Sequence, residues 1–568
     1  MKKILCAPMA LALALTACGG SRQEADAPSP LIGVDQCGYR PADGKMALLL
    51  TAGKKFSVVS EADGSVAFDG QVGEARFWPE AGDSVRQMEF SALREVGAYR
   101  IVVDDTLASA PFVISDTVYA SALRSAVKAF YYNRASMPIE ARYGGKWARP
   151  AGHPDTLVLI HSSAVSAERP EGTAISSSRG WYDAGDYNKY IVNSSISTYS
   201  LMLAAKLWPT ATDALRVGIP ESGSGIPDLV SETLYNLRWM LTMQDPADGG
   251  VYHKLTTLSF EGFIMPADCH KQRYVVAKGT AAALDLAATA SFASRLLPGV
   301  SPSLQSLADS CKSVALKAYN WAKANPDVTF RNPADVSTGE YGDDNLSDEW
   351  LWAATEMWLT FGGDDYAADA RAHTVACQVP SWGGVSALAY YSMVAEGRNV
   401  PGFDASAAIS SSADSLLRRE AESPVCLSLE KFDWGSNSSV ANEAMLKLVA
   451  AKAAPDNAAA LRASVLNDVH YLFGRNGVGY SFVTGVGSRS PMHIHHRPSA
   501  ADGIDEPVPG FLAGGPNTVV PTDCGDEPTR SQYPAKAYAD QECSYSTNEI
   551  AINWNAPLVF DLLGLWGN

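Results

Sequence analysis

The chain has 568 residues, and its 45 Lys and Arg against 62 Asp and Glu give a formal net charge of −17. Nucleic-acid-binding proteins carry a basic surface, so this balance argues against that class and suits a neutral ligand. The nine cysteines include no Cys-x-x-Cys pair, which argues against a zinc finger and a disulfide framework, although Cys524 and Cys543 could pair in an oxidising compartment.

The N-terminus predicts secretion. Residues 1–17 combine a basic start with a short apolar run that closes on Leu15-Thr16-Ala17-Cys18, which is typical of a signal peptide. This ending resembles the bacterial lipobox, which implies lipidation of Cys18, and Gly19 after it favours the outer membrane. Residues 18–30 are small, polar and Pro-containing and predict a flexible tether. We therefore expect a lipoprotein at the bacterial outer membrane, on the cell surface, that contacts the membrane through its lipid alone.

Residues 31–116 predict a small β-sandwich. Strand-like runs such as residues 45–50 and 97–103 recur at regular spacing and are separated by turns that contain Gly and Asp.

The remaining residues, 117–568, predict a helical domain, because apolar residues recur there at three- and four-residue spacing. Twelve helices fit two concentric rings of six, an (α/α)6 barrel, although the count alone does not require closure. They are predicted near 117–135, 189–207, 226–244, 275–296, 303–324, 347–361, 364–375, 382–396, 403–417, 437–453, 458–473 and 548–563.

Two stretches, residues 176–190 and 484–547, lack helical periodicity. Long loops in a compact domain are usually functional or disordered, and their His and aromatic residues favour function. The first contains Asp183 and Asp186 among four aromatic residues. An Asp pair in a Gly-containing loop is more often a turn or a calcium site, but it could also supply a carboxyl for glycosidic hydrolysis, which needs two.

Two later motifs have both a functional and a structural interpretation. Glu549 lies where a loop becomes an apolar helix, where an acid also stabilises the helix dipole. His493, His495, His496 and Arg497 lie close together and could bind a metal or form a hydrogen-bonding wall for sugar hydroxyls. We favour the sugar wall, because the cluster contains no carboxylate or Cys.

Together these motifs resemble glycoside hydrolase family 9, the cellulases with an (α/α)6 catalytic barrel. The resemblance covers nearly all of the chain after the tether, and residues 31–116 look like the immunoglobulin-like domain that precedes many of these barrels. It is carried by the Asp-Ala-Gly-Asp block at 183–186, by His-x-Arg at 495–497, and by a closing pattern of Tyr538, Asp540, Tyr545, Glu549, Ala551, Asn555 and Ala556.

The resemblance implies roles for individual residues. Asp186 would be the general base that activates water, Asp183 would help to hold that water, and Glu549 would be the general acid. The expected substrate-binding residues are His495 and Arg497 for sugar hydroxyls, Asp540 as support for the loop of the acid, and His253, Trp382, Trp434 and Tyr545 in the cleft.

No cofactor is expected to be required, and no metal residue is assigned. Some family members hold zinc with Cys and His, but this region offers His153 and His161 without a Cys. Calcium is possible near residues 343–349, where the candidate ligands Asp343, Asp344, Asp348 and Glu349 could instead cap a helix.

The sequence thus predicts an inverting hydrolase of β-1,4-linked glucans, such as soluble cellulose, mixed-linkage glucan or xyloglucan, with endo action favoured. An exo-acting, cellodextrin-trimming hydrolase is the nearest alternative. A non-catalytic glycan-binding lipoprotein is a second alternative, against which the three retained carboxyls argue. A polysaccharide lyase would need basic subsites and fits an acidic protein poorly.

Overall fold

The computed structural model describes residues 29–567. The predicted signal peptide, the lipidation site at Cys18 and nearly all of the predicted tether lie outside the described residues. Within residues 29–567, no helix has the length and apolar character that crossing a membrane requires.

The N-terminal domain is a sandwich of two antiparallel sheets. One has the strand order β1-β2-β6-β5, and the other has the order β4-β3-β7-β8, with β9 also paired to β7. The strands are β1 Ile32–Gly33, β2 Met46–Leu49, β3 Lys55–Ser60, β4 Val66–Gln71, β5 Arg76–Trp78, β6 Asp83–Glu89, β7 Gly97–Val103, β8 Leu107–Ala108 and β9 Phe112–Ile114.

Strand β2 joins the sandwich to the helical domain, which explains its unbroken apolar run. Side chains alternate across a strand, so successive residues face opposite sides. Ala47 and Leu49 lie in the sandwich core, whereas Met46 and Leu48 pack into the core of the helical domain. The two domains therefore share a continuous apolar boundary.

The helical domain follows the sandwich directly. Its helices are α1 Ala120–Tyr132, α2 Ala141–Gly144, α3 Ile191–Leu207, α4 Pro209–Ala214, α5 Asp228–Met240, α6 Thr280–Val300, α7 Gln305–Ala324, α8 Ser347–Phe361, α9 Asp364–Ala372, α10 Ser386–Glu396, α11 Ala405–Glu422, α12 Ser436–Ala453, α13 Ala458–Leu472, α14 Arg497–Ala501, α15 Tyr545–Asn548 and α16 Ile552–Trp566.

Six of these helices form a closed inner ring. Helices α3, α6, α8, α10, α12 and α16 each pack against the next, and α16 packs against α3. The other long helices alternate with them along the chain and lie outside. Burial follows this arrangement, because nearly every residue of α3 is buried, whereas α7 buries one stripe that includes Ala308, Cys311, Ala315 and Ala322. The predicted fold class, an (α/α)6 barrel after a β-sandwich, is confirmed.

A third, five-stranded sheet in the helical domain was not predicted. It has the order β11-β10-β14-β13-β12, in which β10 and β14 are parallel and the other pairs antiparallel. Its strands are β10 Val158–Ile160, β11 Ala174–Ile175, β12 Lys189–Tyr190, β13 Tyr252–Thr256 and β14 Tyr274–Lys278. The helix predicted over 275–296 is therefore wrong at its start, because residues 274–278 pair with β13 and β10. Similarly, the helix predicted from 382 begins at Ser386.

Cys524 and Cys543 form a disulfide, the pairing that the sequence left open. Cys37, Cys269, Cys311, Cys377 and Cys426 are free thiols.

Candidate active site

A cleft of about 770 Å³ lies where several loops meet the inner ring. Its lining comes from seven parts of the chain, and it includes both stretches that lack helical periodicity. The predicted residues among the lining are Asp183, Asp186, Trp382, Trp434, His495, Arg497, Tyr545 and Glu549.

Gly185 allows the two loops that carry the carboxyls to approach each other. A Cβ at this position would lie 2.2 Å from the carbonyl oxygen of His495 and 3.1 Å from Oε1 of Glu549. Its amide N–H donates to Glu549 Oε1 at 3.2 Å, and His495 forms a β-bridge with Glu549. A side chain here would therefore push apart the segments that hold Asp186 and Glu549.

Asp183 lies beneath the cleft and is held on both oxygens. Asn193 Nδ2 donates to both carboxyl oxygens at 3.0 Å, and the hydroxyl of Tyr341 donates to Oδ2 at 2.8 Å. Burial and the neighbouring Asp186 nevertheless raise the pKa of Asp183 to about 8. Asp183 therefore carries a proton near neutral pH, which removes a like charge from the side of Asp186.

Asp186 has one bonded and one free oxygen. Asn188 Nδ2 and the hydroxyl of Tyr190 donate to Oδ2. The other oxygen, Oδ1, is buried and has no hydrogen-bond partner within residues 29–567. A carboxylate held on one side, with a free acceptor on the other, can take a proton from a water molecule in the cleft.

Glu549 has the environment of an acid that keeps its proton. Burial and the neighbouring Asp186 raise its pKa to about 8, and the amide of Gly185 and Arg497 act in the opposite direction. Glu549 is therefore mostly protonated at neutral pH and can donate to a glycosidic oxygen.

His495 and Arg497 form one wall of the cleft. Nδ1–H of His495 donates to the carbonyl of Glu542 at 2.7 Å, which leaves Nε2 of a neutral ring as an acceptor. Burial lowers the pKa of His495, so the neutral ring faces the cleft. Arg497 donates to the carbonyls of Glu261 and Gly185 and lies over the ring of Phe260. This wall presents nitrogen atoms to sugar hydroxyls.

Aromatic rings line the rest of the cleft. Trp434 is 43% exposed, and its ring lies 5.6 Å from that of Tyr545. On another side, the ring of Trp382 packs edge-on against Tyr341 at 5.1 Å. Flat, partly exposed rings of this kind can stack on the apolar faces of sugar rings without any charge on the ligand.

Two of the predicted substrate-binding residues lie outside the cleft. His253 is fully buried, stacks on Phe330 at 3.7 Å and bonds through Nε2 to the carbonyl of Glu340. Asp540 accepts from the amides of Met492 and His493 and from Asn548, so it holds the loop before His495. Neither is among the described residues that line the cleft, and the contacts of Asp540 are those of loop support, the role expected of it above.

Sequence reasoning missed several residues of the site. Tyr341 has a positive φ of 51°, unusual for a large side chain, and this conformation accompanies its hydrogen bond to Asp183. Phe260 lines the cleft from the loop between β13 and β14. Neither lies in a recognisable motif. Asn193, seven residues after Asp186, gave no signal beyond its polarity in an apolar helix.

The acids considered as calcium ligands separate into two sets. Asp344 is exposed and paired with Arg331, so it is not available to the buried acids. Asp343, Asp348 and Glu349 interact instead with Asp285 of α6, which was not predicted. Burial and these like charges raise the pKa values of Asp285 and Glu349 well above their usual range. Among residues 29–567, no three His, Cys, Asp or Glu side chains are arranged as a formed metal site.

A closed double ring of helices with a carboxyl-lined, aromatic cleft suits an enzyme that hydrolyses carbohydrate chains. The sequence model of glycosyl hydrolase family 9 matches residues 119–562, and the cellulase N-terminal ig-like domain matches residues 27–107. The chain therefore belongs to glycosyl hydrolase family 9. The predicted family and enzyme class are confirmed.

Similar proteins agree over nearly the whole chain. The xyloglucan-specific endo-β-1,4-glucanase BoGH9A of Bacteroides ovatus is 40% identical over 94% of this chain and 93% of its own length. Endoglucanase D of Acetivibrio thermocellus is 33% identical over 94% of this chain and 83% of its own. A solved structure titled Bacteroides ovatus GH9 is similar with a TM-score of 0.86 at 36% identity, covering 95% of this chain and all of that one.

Proposed function

We propose that the protein is an inverting endo-β-1,4-glucanase in which Asp186 is the general base and Glu549 the general acid. The predicted inverting hydrolysis of β-1,4-linked glucans is confirmed by family membership and by the named endoglucanases. The observation that carries the residue roles is the contrast between the two carboxyls. Glu549 holds a proton near neutral pH, whereas Asp186 presents a free acceptor oxygen in the same cleft.

The geometry supports the following sequence of steps. Aromatic rings hold the glucan chain, while His495 and Arg497 bind hydroxyls beside the bond to be cleaved. Glu549 protonates the leaving oxygen, and Asp186 removes a proton from the water that attacks the anomeric carbon from the opposite face. The configuration of that carbon is thereby inverted, and exchange of protons with solvent restores both carboxyls.

Asp183 positions the loop that also carries the base, Asp186. Its carbonyl accepts from the amide of Ile552 at 2.8 Å, three residues after Glu549. The loop that carries Asp186 is therefore hydrogen-bonded to the start of α16, three residues after the acid Glu549. The proton on Asp183 leaves the negative charge of this pair on Asp186, as the mechanism requires.

We further propose a branched, soluble glucan, with xyloglucan as the leading substrate. The relative that is 40% identical is named for this polymer. In addition, small residues line part of the cleft, including Gly339, Gly435, Ser438 and Ser439. Such residues leave room beside the glucan backbone for side-chain sugars.

The test compares the chain without its first 28 residues with Asp186→Asn and Glu549→Gln variants. Asp344→Asn is the matched control, because this acid is exposed and lies outside the cleft. Each is incubated with xyloglucan, mixed-linkage glucan and carboxymethylcellulose, and products are sized over time. Removal of a general acid or base typically lowers the rate by about 10²–10⁴-fold.

The expected result is a spread of mid-length products from the parent and the control, with almost none from the two site variants. A single short product from the start would indicate exo action in place of endo action. Binding without any product would identify a glycan-binding protein instead. Equal activity of Asp186→Asn and the parent would remove Asp186 from the mechanism.

The lipid anchor is proposed on the sequence alone. Leu15-Thr16-Ala17-Cys18 closes the predicted signal peptide, and small, polar residues follow. In a Gram-negative host, the parent is expected to incorporate labelled palmitate and to fractionate with the outer membrane. Cys18→Ser is expected to do neither, and unlabelled parent protein would reject the anchor.

Calcium binding is proposed at residues 343–349, with Asp343, Asp348 and Glu349 joined by the buried Asp285 of α6. Support comes from Asp285 Oδ1 and Glu349 Oε2, which are buried without hydrogen-bond partners in residues 29–567. A cation would neutralise carboxyls that otherwise need protons. Calcium is expected to raise the melting temperature relative to EDTA in the parent but not in Glu349→Gln, and equal melting temperatures in the parent would reject the site.

A further inference from the structure

Lys254 is a buried lysine behind the cleft that the mechanism does not yet use. It lies on β13 directly opposite Tyr190 of β12, and its side chain is fully buried. Its Nζ donates to Asn332 Oδ1 at 2.7 Å, Thr338 Oγ1 at 2.9 Å and the carbonyl of Gly339 at 2.7 Å. Three acceptors satisfy the three N–H groups of an ammonium ion, whereas a neutral amine has only two.

A line of hydrogen bonds runs from this ammonium group to Asp186. The Thr338 and Thr256 hydroxyls are 2.7 Å apart. The single proton of Thr256 Oγ1 is shared between the carbonyl of Thr257 at 2.7 Å and Asn188 Oδ1 at 3.1 Å, and Asn188 Nδ2 donates to Asp186 Oδ2. All five side chains are at most 6% exposed. The residues, in order, are Lys254, Thr338, Thr256, Asn188 and Asp186.

The direction of the donors follows from the two ends of the line. An ammonium ion cannot accept, so Thr338 must accept from Lys254 and can use its own proton toward Thr256. At the other end, the amide of Thr257 donates to Asn188 Oδ1 at 3.2 Å, which fixes that side chain with Nδ2 toward Asp186. The donors of Lys254, Thr338 and Asn188 then point toward the carboxylate, and Thr256 links them through the proton that it shares with the carbonyl of Thr257. Hydrogen bonds in such a line polarise one another in a buried environment.

We propose that Lys254 is a positioning residue for the catalytic base, because its charge polarises a buried hydrogen-bond chain that ends on Asp186 Oδ2. This inference rests on the proposed role of Asp186. The chain holds Oδ2 of Asp186 and leaves Oδ1 for the water.

The other titratable groups near Asp186 do not supply a positive charge. The titratable neighbours that interact with it are the carboxyls of Asp183 and Glu549, the hydroxyl of Tyr190, and the ring of His495, which burial keeps neutral. Lys254 also interacts with Glu340. Burial lowers the pKa of Lys254 to about 7, and Asp186 and Glu340 oppose that change. The ammonium form is therefore present at mildly acidic pH.

The test uses Thr338→Val, which removes one hydroxyl with little change of shape, and Thr338→Ser, which keeps it. Lys254→Met removes the charge, and Asp186→Asn reports on the base itself. For each variant, kcat and KM on xyloglucan are measured from pH 4 to 9, and folding is checked by thermal unfolding. If Thr338→Val does not fold, Thr256→Val and Thr256→Ser provide the same comparison.

Loss of the chain weakens the hold on Asp186 Oδ2, so the chemical step should slow while substrate binding is kept. We expect Thr338→Val to lower kcat about tenfold and to leave KM within about twofold. Thr338→Ser should recover most of kcat, and Lys254→Met should show the same loss of kcat as Thr338→Val.

Two results would overturn the inference while Asp186→Asn stays inactive. One is a kcat of Thr338→Val equal to that of the parent. The other is an equal loss of kcat in the Val and Ser variants, which indicates packing alone. An active Asp186→Asn would instead show that the assignment of the base, and with it the proposed mechanism, has failed.

Discussion

The proton on Glu549 sets an alkaline limit to activity that can be worked out from its environment. With a pKa of about 8, roughly nine-tenths of the free enzyme carries this proton at pH 7 and roughly one-tenth at pH 9. We therefore expect kcat/KM on a glucan to fall about tenfold between these two pH values. A glutamic acid with the ordinary pKa would be protonated in only about 0.3% of molecules at pH 7.

The assay measures kcat/KM from pH 5 to 10 at constant ionic strength, on xyloglucan and on a 2,4-dinitrophenyl cellobioside. The aryl leaving group needs no proton, so its alkaline decline should disappear if Glu549 causes it. Asp183 also has a pKa of about 8, and a decline on both substrates would assign it to Asp183 instead. The reasoning would be refuted if, as the pH rises, kcat/KM on xyloglucan had already fallen to half of its maximum below pH 6.

Three further predictions concern the same cleft. Burial raises the pKa of Asp183 in the folded protein, so Asp183 does not destabilise the fold below about pH 4 and destabilises it increasingly as the pH rises to about 8. Asp183→Asn should therefore be less active, yet about 2 kcal/mol more stable at pH 7. Urea unfolding should find no such gain in stability at pH 4. Gly185→Ala should lower kcat/KM at least about 100-fold by separating the loops of Asp186 and Glu549, whereas Gly262→Ala, with no atom within 4 Å of its Cβ, should be parent-like in the same assay. Trp434→Ala should raise KM about tenfold with a smaller change in kcat, the effect of losing one stacking surface, and an unchanged KM would place the glucan elsewhere.

The helical framework follows closely from the sequence because its periodicity is strong. The predicted helices at 347–361 and 437–453 correspond to α8 Ser347–Phe361 and α12 Ser436–Ala453. Closure of the ring was implied by family resemblance and not by periodicity, since spacing within a helix carries no information about its neighbours.

The small sheet beside the cleft was missed for a physical reason. Strands β10 to β14 have two to five residues, and their partners lie far apart in the sequence, so no local alternation is long enough to identify them. Residues 275–277 are apolar and lie just before a helix, so they resemble its first turn.

In the site, the residues that stand in motifs were predicted, and those that act only through their position in the fold were not. Asp183, Asp186, His495, Arg497 and Glu549 stand in recognisable motifs and converge on one cleft. The residues that set the protonation of these groups do not stand in motifs, because burial and distance are properties of the fold. Thr338, about 150 residues from Asp186, has no sequence signal that connects it with the base.

The most direct test of the inverting mechanism is the anomeric configuration of the first product. Proton NMR spectra recorded during early hydrolysis of a xyloglucan oligosaccharide separate the two anomers before they equilibrate. The account predicts that the α-anomer forms first, because water activated by Asp186 attacks the face opposite the leaving oxygen. Initial formation of the β-anomer would require a covalent intermediate and would contradict the assignment of Asp186 as a base.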